Sequence, residues 1–137
     1  MIYLDASVVV PILVNESTSP KVDDWLATDP DIGLSQWTVS EVSSALSHRQ
    51  RTERLDPEER EAAEEEMDRF LARGAPLIEV GNDDIQVVRS LLRFDPMLRA
   101  PDALHLAVTI RLNAALATYD KRLATAAASI GVEVVTP

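Results

Sequence analysis

Short apolar runs rich in β-branched residues alternate with longer stretches of helical spacing along this chain, and no other feature limits its fold as much. Ile2–Leu4, Ile32–Ser35, Leu77–Val80, Ala115–Thr118 and Val132–Val135 are predicted as strands. Helices are predicted over about Ser7–Val14, where Pro11 disturbs regular hydrogen bonding, and from Ser19 (cap) and Pro20 (first residue) to Thr28. Others are predicted over Val39–Arg51, from the "DPEE" stretch to Arg73 with Gly74 as terminator, and over Asp84–Arg93, Pro101–Leu112 and Lys121–Ile130. Strands separated by helical crossovers pair in parallel, and a parallel sheet is covered by helices on both faces. The expectation is one α/β domain over 1–137 with a mostly parallel five-stranded sheet. No linker, repeat or low-complexity tract divides it.

Composition removes several classes of function. Cysteine is absent, which excludes disulfides and thiol chemistry, and His48 and His105 are too few to build an ordinary zinc site. No apolar stretch approaches the ~20 residues of a membrane span, and no basic leader precedes Ile2, so a cytoplasmic protein without membrane contact is expected. The net charge is −10, from 13 basic and 23 acidic residues. Such a field repels phosphates and argues against a simple nucleic-acid-binding module. It does not argue against an enzyme whose carboxylates are themselves a cation site. Two biased segments have ordinary readings. In "DPEEREAAEEEMDRFLARG", Ala63, Met67, Phe70 and Leu71 form an apolar stripe on a solvated helix with pairs such as Glu65–Arg69. Arg49, Arg51 and Arg54 end another helix, where cations are favoured, and are a secondary candidate for touching RNA or an acidic partner.

Four acids stand out against this background. In open parallel sheets functional groups gather beyond the carboxyl ends of the strands. Asp5 follows the first strand, Glu41 lies in the first turn of the helix after the second, and Asp120 follows the fourth. Asp102 begins a helix tied through Asn113 to the fourth strand, so that helix runs back antiparallel to it. A helix of about a dozen residues spans ~18 Å and a five-residue strand ~16 Å, which sets Asp102 level with Asp120. Each acid has a local alternative: Asp5 and Asp120 as N-caps, Thr38 and Glu41 as a capping box, Asp102 as a dipole partner. Together, however, four like charges repel, and an all-oxygen set suits a hard divalent cation, Mg²⁺ or Mn²⁺. Metal-assisted phosphoryl chemistry with activated water is the reaction class such a site supports. His105, three residues after Asp102, reads as a hydrogen-bonded core histidine with the option of facing the site. Ser7 and Thr118 flank two acids and are placed to orient them or to cap locally.

The ordered pieces "YLDAS", "SEVSSAL", "RAPDALHLA" and "LATYDKRLATAAASIGVEVV" resemble the PIN-domain ribonucleases, in particular the VapC toxins of toxin–antitoxin pairs. The resemblance covers both ends of the chain; about Gln50 to Asp95 matches in layout more than in residues. It implies a three-layer α/β/α sandwich with strand order 3-2-1-4-5. It also implies a Mg²⁺- or Mn²⁺-dependent endoribonuclease with Asp5, Glu41, Asp102 and Asp120 as its acidic ligands, a VapB-like antitoxin, and a homodimer. Two rivals are weaker. A haloacid-dehalogenase-like phosphatase with Asp5 as nucleophile needs a second Asp two residues on, where Ser7 stands. An inactive PIN-fold scaffold has no reason to keep four mutually repelling acids.

Overall fold

The structure is a computed structural model and describes all 137 residues. In chain order its elements are β1 (Ile2–Leu4), α1 (Ala6–Leu13), α2 (Ser19–Leu26), β2 (Ile32–Ser35), α3 (Gln36–Arg51) and α4 (Pro57–Ala72). There follow β3 (Leu77–Ile78), α5 (Asn82–Phe94), α6 (Ala100–Leu112), β4 (Ala115–Ala117), α7 (Lys121–Ser129) and β5 (Val134–Val135). The strands form one sheet in the order β3-β2-β1-β4-β5, and every pairing is parallel. β1 is central: Tyr3 sits between Gly33 and Leu116, and Leu4 lies opposite Ala117.

Alternation along the strands sends neighbouring side chains to opposite faces and so builds two cores. Leu4, Leu34 and Ala117 join a cluster with Val8, Val22, Val42, Leu46, Met67 and Phe70, contributed by α1–α4. Tyr3 and Leu116 join another with Leu106, Val108, Leu123 and Ala127, from α6 and α7, with Leu91 of α5 packed on its rim. The result is an α/β/α sandwich, in agreement with the expected class and strand order. The α4 stripe of Ala63, Met67 and Phe70 is buried as its spacing requires, and Glu65 pairs with Arg69 at 3.5 Å.

Several boundaries differ from the sequence reading. β3 and β5 are only two residues long, and Thr118 falls outside β4. The two short strands lie at the sheet edges, each with one neighbour to hold it. Pro11 is accommodated inside α1, which ends two residues later. Ser19 does not cap α2: its hydroxyl donates to the Pro11 carbonyl at 2.6 Å and accepts the Glu16 N–H, which ties α2 to α1. Arg49 is no free cation, since it pairs with Glu16. No helix is long and apolar enough to cross a membrane.

Candidate metal centre

Asp5 is the first residue beyond β1 and is only 4% exposed. Its Oδ1 accepts the backbone N–H of Ser7 (2.9 Å) and of Val8 (3.3 Å), capping α1, and also the Ser7 hydroxyl at 2.6 Å. Its Oδ2 accepts the Thr118 hydroxyl at 2.6 Å. The capping role and the buried edge position therefore coexist. Burial pushes the Asp5 carboxyl up from its ordinary value, while the Ser7 and Thr118 bonds pull it back.

Asp120 stands just beyond β4 and caps α7 through Oδ1, which accepts the N–H groups of Arg122 (2.7 Å) and Leu123 (3.1 Å). Its other oxygen is left without a partner. Asp102, in the first turn of α6, is half-buried and accepts no hydrogen bond. Burial, then the Asp120 charge and more weakly Glu41, push its carboxyl up. The level placement of Asp102 and Asp120 depends on the turn after α6, where Asn113 adopts a left-handed conformation (φ 48°, ψ 44°) and turns the chain directly into β4.

Glu41 occupies a place the sequence reading missed. The capping box of α3 is formed by Ser35 and Thr38, not by Thr38 and Glu41. Ser35 is the last residue of β2 and turns into the helix at once, so Glu41 falls in the second turn, free of the cap. Its carboxylate pairs with His105 Nε2. His105 is 2% exposed, and its Nδ1 lies 2.9 Å from the Tyr3 hydroxyl. That hydroxyl also meets Ser35 Oγ at 2.6 Å. A carboxylate only accepts, so Nε2 carries the shared proton; in the neutral ring Nδ1 then accepts from Tyr3. Burial raises the Tyr3 hydroxyl to about 12, which keeps that donor protonated. The one available sequence signal for this role is the spacing of His105 from Asp102, which places both on one side of α6.

The four acids thus share the carboxyl edge of β2, β1 and β4. As they stand, no three of these side chains enclose an ion position. The donors nevertheless fit a hard cation: all are oxygens, and Asp102 and one Asp120 oxygen have no competing hydrogen bond. Ser7 and Thr118 act on Asp5 as its donors, and Thr118 also accepts the Asp120 N–H at 2.9 Å.

The profile of the PIN domain family matches residues 2–129. Ribonuclease VapC46 of Mycobacterium tuberculosis is 34% identical over 139 residues, covering 99% of this chain and 97% of that one. This chain is a PIN-domain protein of the VapC family. The PIN fold is also seen by superposition on M. tuberculosis VapC20, described as a toxin cleaving the sarcin–ricin loop. The TM-score is 0.77 at 18% identity, with all of both chains covered. A toxin–antitoxin complex from Klebsiella pneumoniae gives a TM-score of 0.69 at 19% identity, over 100% of this chain and 98% of that one.

Proposed function

We infer that this PIN domain is an endoribonuclease, the toxin of a toxin–antitoxin pair. The observation that carries the reading is the convergence of Asp5, Glu41, Asp102 and Asp120 on one sheet edge, in a chain 34% identical to a named ribonuclease. Asp5, Asp102 and Asp120 would hold Mg²⁺ or Mn²⁺, with Glu41 either joining them or positioning the attacking water. When bound, the cation supplies positive charge against the phosphodiester oxygens and acidifies water at the site. The chain's own part is to fix Asp5 through Ser7 and Thr118, to hold Glu41 through His105, and to leave Asp102 and one oxygen of Asp120 free of hydrogen bonds.

A small VapB-like antitoxin is the partner this reading brings. An arginine from it would suit the acidic edge, because a guanidinium can pair with these carboxylates in place of a metal. The toxin itself is read as a homodimer, and Ile85 and Val87, exposed on α5, offer apolar surface to a second copy. The test is cleavage of cellular RNA by the purified chain with Mg²⁺ or Mn²⁺ and after EDTA. Metal-dependent cutting, lowered at least ~10²-fold in Asp102→Asn, is expected. Unchanged cutting in EDTA or in that variant would falsify the assignment.

A further inference from the structure

Beside Asp102 the surface opens into a cavity of ≈ 320 Å³ lined by Met97, Leu98, Asp102, Lys121, Arg122 and Thr125, among others. That volume is at the small end of ligand sites. Its chemistry differs from the rest of this acidic molecule. Lys121 and Arg122 make no ion pair, as is also true of Lys21, Arg51, Arg54, Arg89, Arg93 and Arg99, but these two line the cavity beside Asp102, where Arg122 favours the charged form of that carboxyl. Two free cations therefore stand at the rim of the acidic edge, next to Asp120. Part of the lining is apolar: Met97 is 77% exposed and Leu98 lies beside it, while Phe94, the last residue of α5, is 68% exposed just before this connection. The other basic cluster is badly placed for the site. α3 starts at the carboxyl edge and carries Arg49 and Arg51 in its last turn, roughly 20 Å away along the helix axis.

We propose that this cavity is an RNA subsite, holding the nucleotide next to the cleaved bond, with Lys121 and Arg122 on its phosphate and Met97 and Leu98 against its base. The occupant follows from charge complementarity beside the acids: cations for a backbone phosphate, flanked by an apolar wall that accepts any base face. The cations also offset the repulsion that the acidic edge exerts on an incoming polyanion. The subsite rests on the ribonuclease reading, and the experiment separates the two.

The full chain, wild type and K121Q/R122Q, is compared in metal-dependent cutting of RNA. Binding of a labelled single-stranded oligoribonucleotide of mixed sequence is measured in parallel in EDTA across a salt series. The variant is expected to raise KM about tenfold with little change in kcat. The slope of log affinity against log salt should fall by about 1.4, the value for two lost phosphate contacts on a single strand. K121R/R122K, which keeps both charges, should retain the salt slope, and M97A should weaken binding without changing it. Wild-type cleavage with KM and salt slope unaltered in K121Q/R122Q overturns the subsite and leaves the ribonuclease reading standing. Absence of cleavage by wild type overturns both. Unchanged RNA binding with a lower sedimenting mass in M97A reassigns the rim to contact between copies and also overturns the subsite.

Discussion

Thr118 donates its hydroxyl to Asp5 at 2.6 Å and thereby joins the ends of the central strand β1 and its neighbour β4. The same oxygen accepts the Asp120 N–H, so one side chain spaces two acids of the edge. Thr118 is 1% exposed. Thr118→Val keeps the shape and leaves Asp5 Oδ2 without a hydrogen bond. A buried acceptor so orphaned costs about 1–3 kcal/mol. Chemical denaturation should show that loss, and Thr118→Ser should recover most of it.

The pH dependence of stability follows from Asp102. Its pKa in the folded protein is raised above 3.8 by burial and by Asp120. A raised carboxyl favours the fold while protonated: the contribution is full below 3.8 and is lost as pH rises through the folded value. Asp102→Asn should therefore melt like wild type in acid and above it at neutral pH, both in EDTA. Mn²⁺ should raise the melting temperature of wild type by mass action and raise that of the variant much less. Equal neutral-pH melting of the two proteins in EDTA would refute the electrostatic account.

The Tyr3–His105–Glu41 chain predicts a tautomer. Nitrogen chemical shifts of the His105 ring should show Nε2 protonated and Nδ1 as an acceptor. Tyr3→Phe removes the hydroxyl that Nδ1, Ser35 and Thr38 share. Loss of about 1–3 kcal/mol is expected from the three groups left behind. The Nδ1 resonance should move toward that of a non-hydrogen-bonded nitrogen. An unmoved resonance means that Tyr3 does not fix the ring.

Asn113 carries the left-handed turn that aligns α6 with β4. A β-branched residue there meets the steric penalty of that conformation, about 1–2 kcal/mol, so Asn113→Val should destabilise by that amount. Asn113→Gly, free of the penalty, should unfold near wild type. Similar unfolding curves for the Val and Gly variants would remove the conformational explanation.

The edge positions of Asp5 and Asp120 were legible because each follows an apolar, strand-forming run, and strand ends in a parallel sheet share one side. Asp102 was legible from the shortness of the link through Asn113. What could not be read is pairing across the chain. Glu41 and His105 are 64 residues apart, and nothing local marks them as partners. The T-x-x-E pattern at Thr38 pointed to the wrong box because capping is decided by where β2 stops, at Ser35, which is a tertiary matter. Arg49 looked like a free helix-end cation because Glu16 lies on a different element. Edge-strand lengths were overestimated for a similar reason: propensity does not know how many neighbours a strand has.

The order of the strands has a consequence for how the protein comes into being. β1 is made first, but its partner on one side, β4, is among the last segments synthesised, and Asp102 and Asp120 both lie in the last third of the chain. Folding during translation proceeds from the N-terminus, so α1–α4 can gather on β1 and β2 while the other half of the sheet is still missing. A nascent chain at that stage carries only two of the four acids, and under the proposed assignment it has no complete metal edge. The ribosome making this protein is close to an RNA-cleaving site only for the final moments of each synthesis, and a partner that recognises the α3 side could engage before that site is finished.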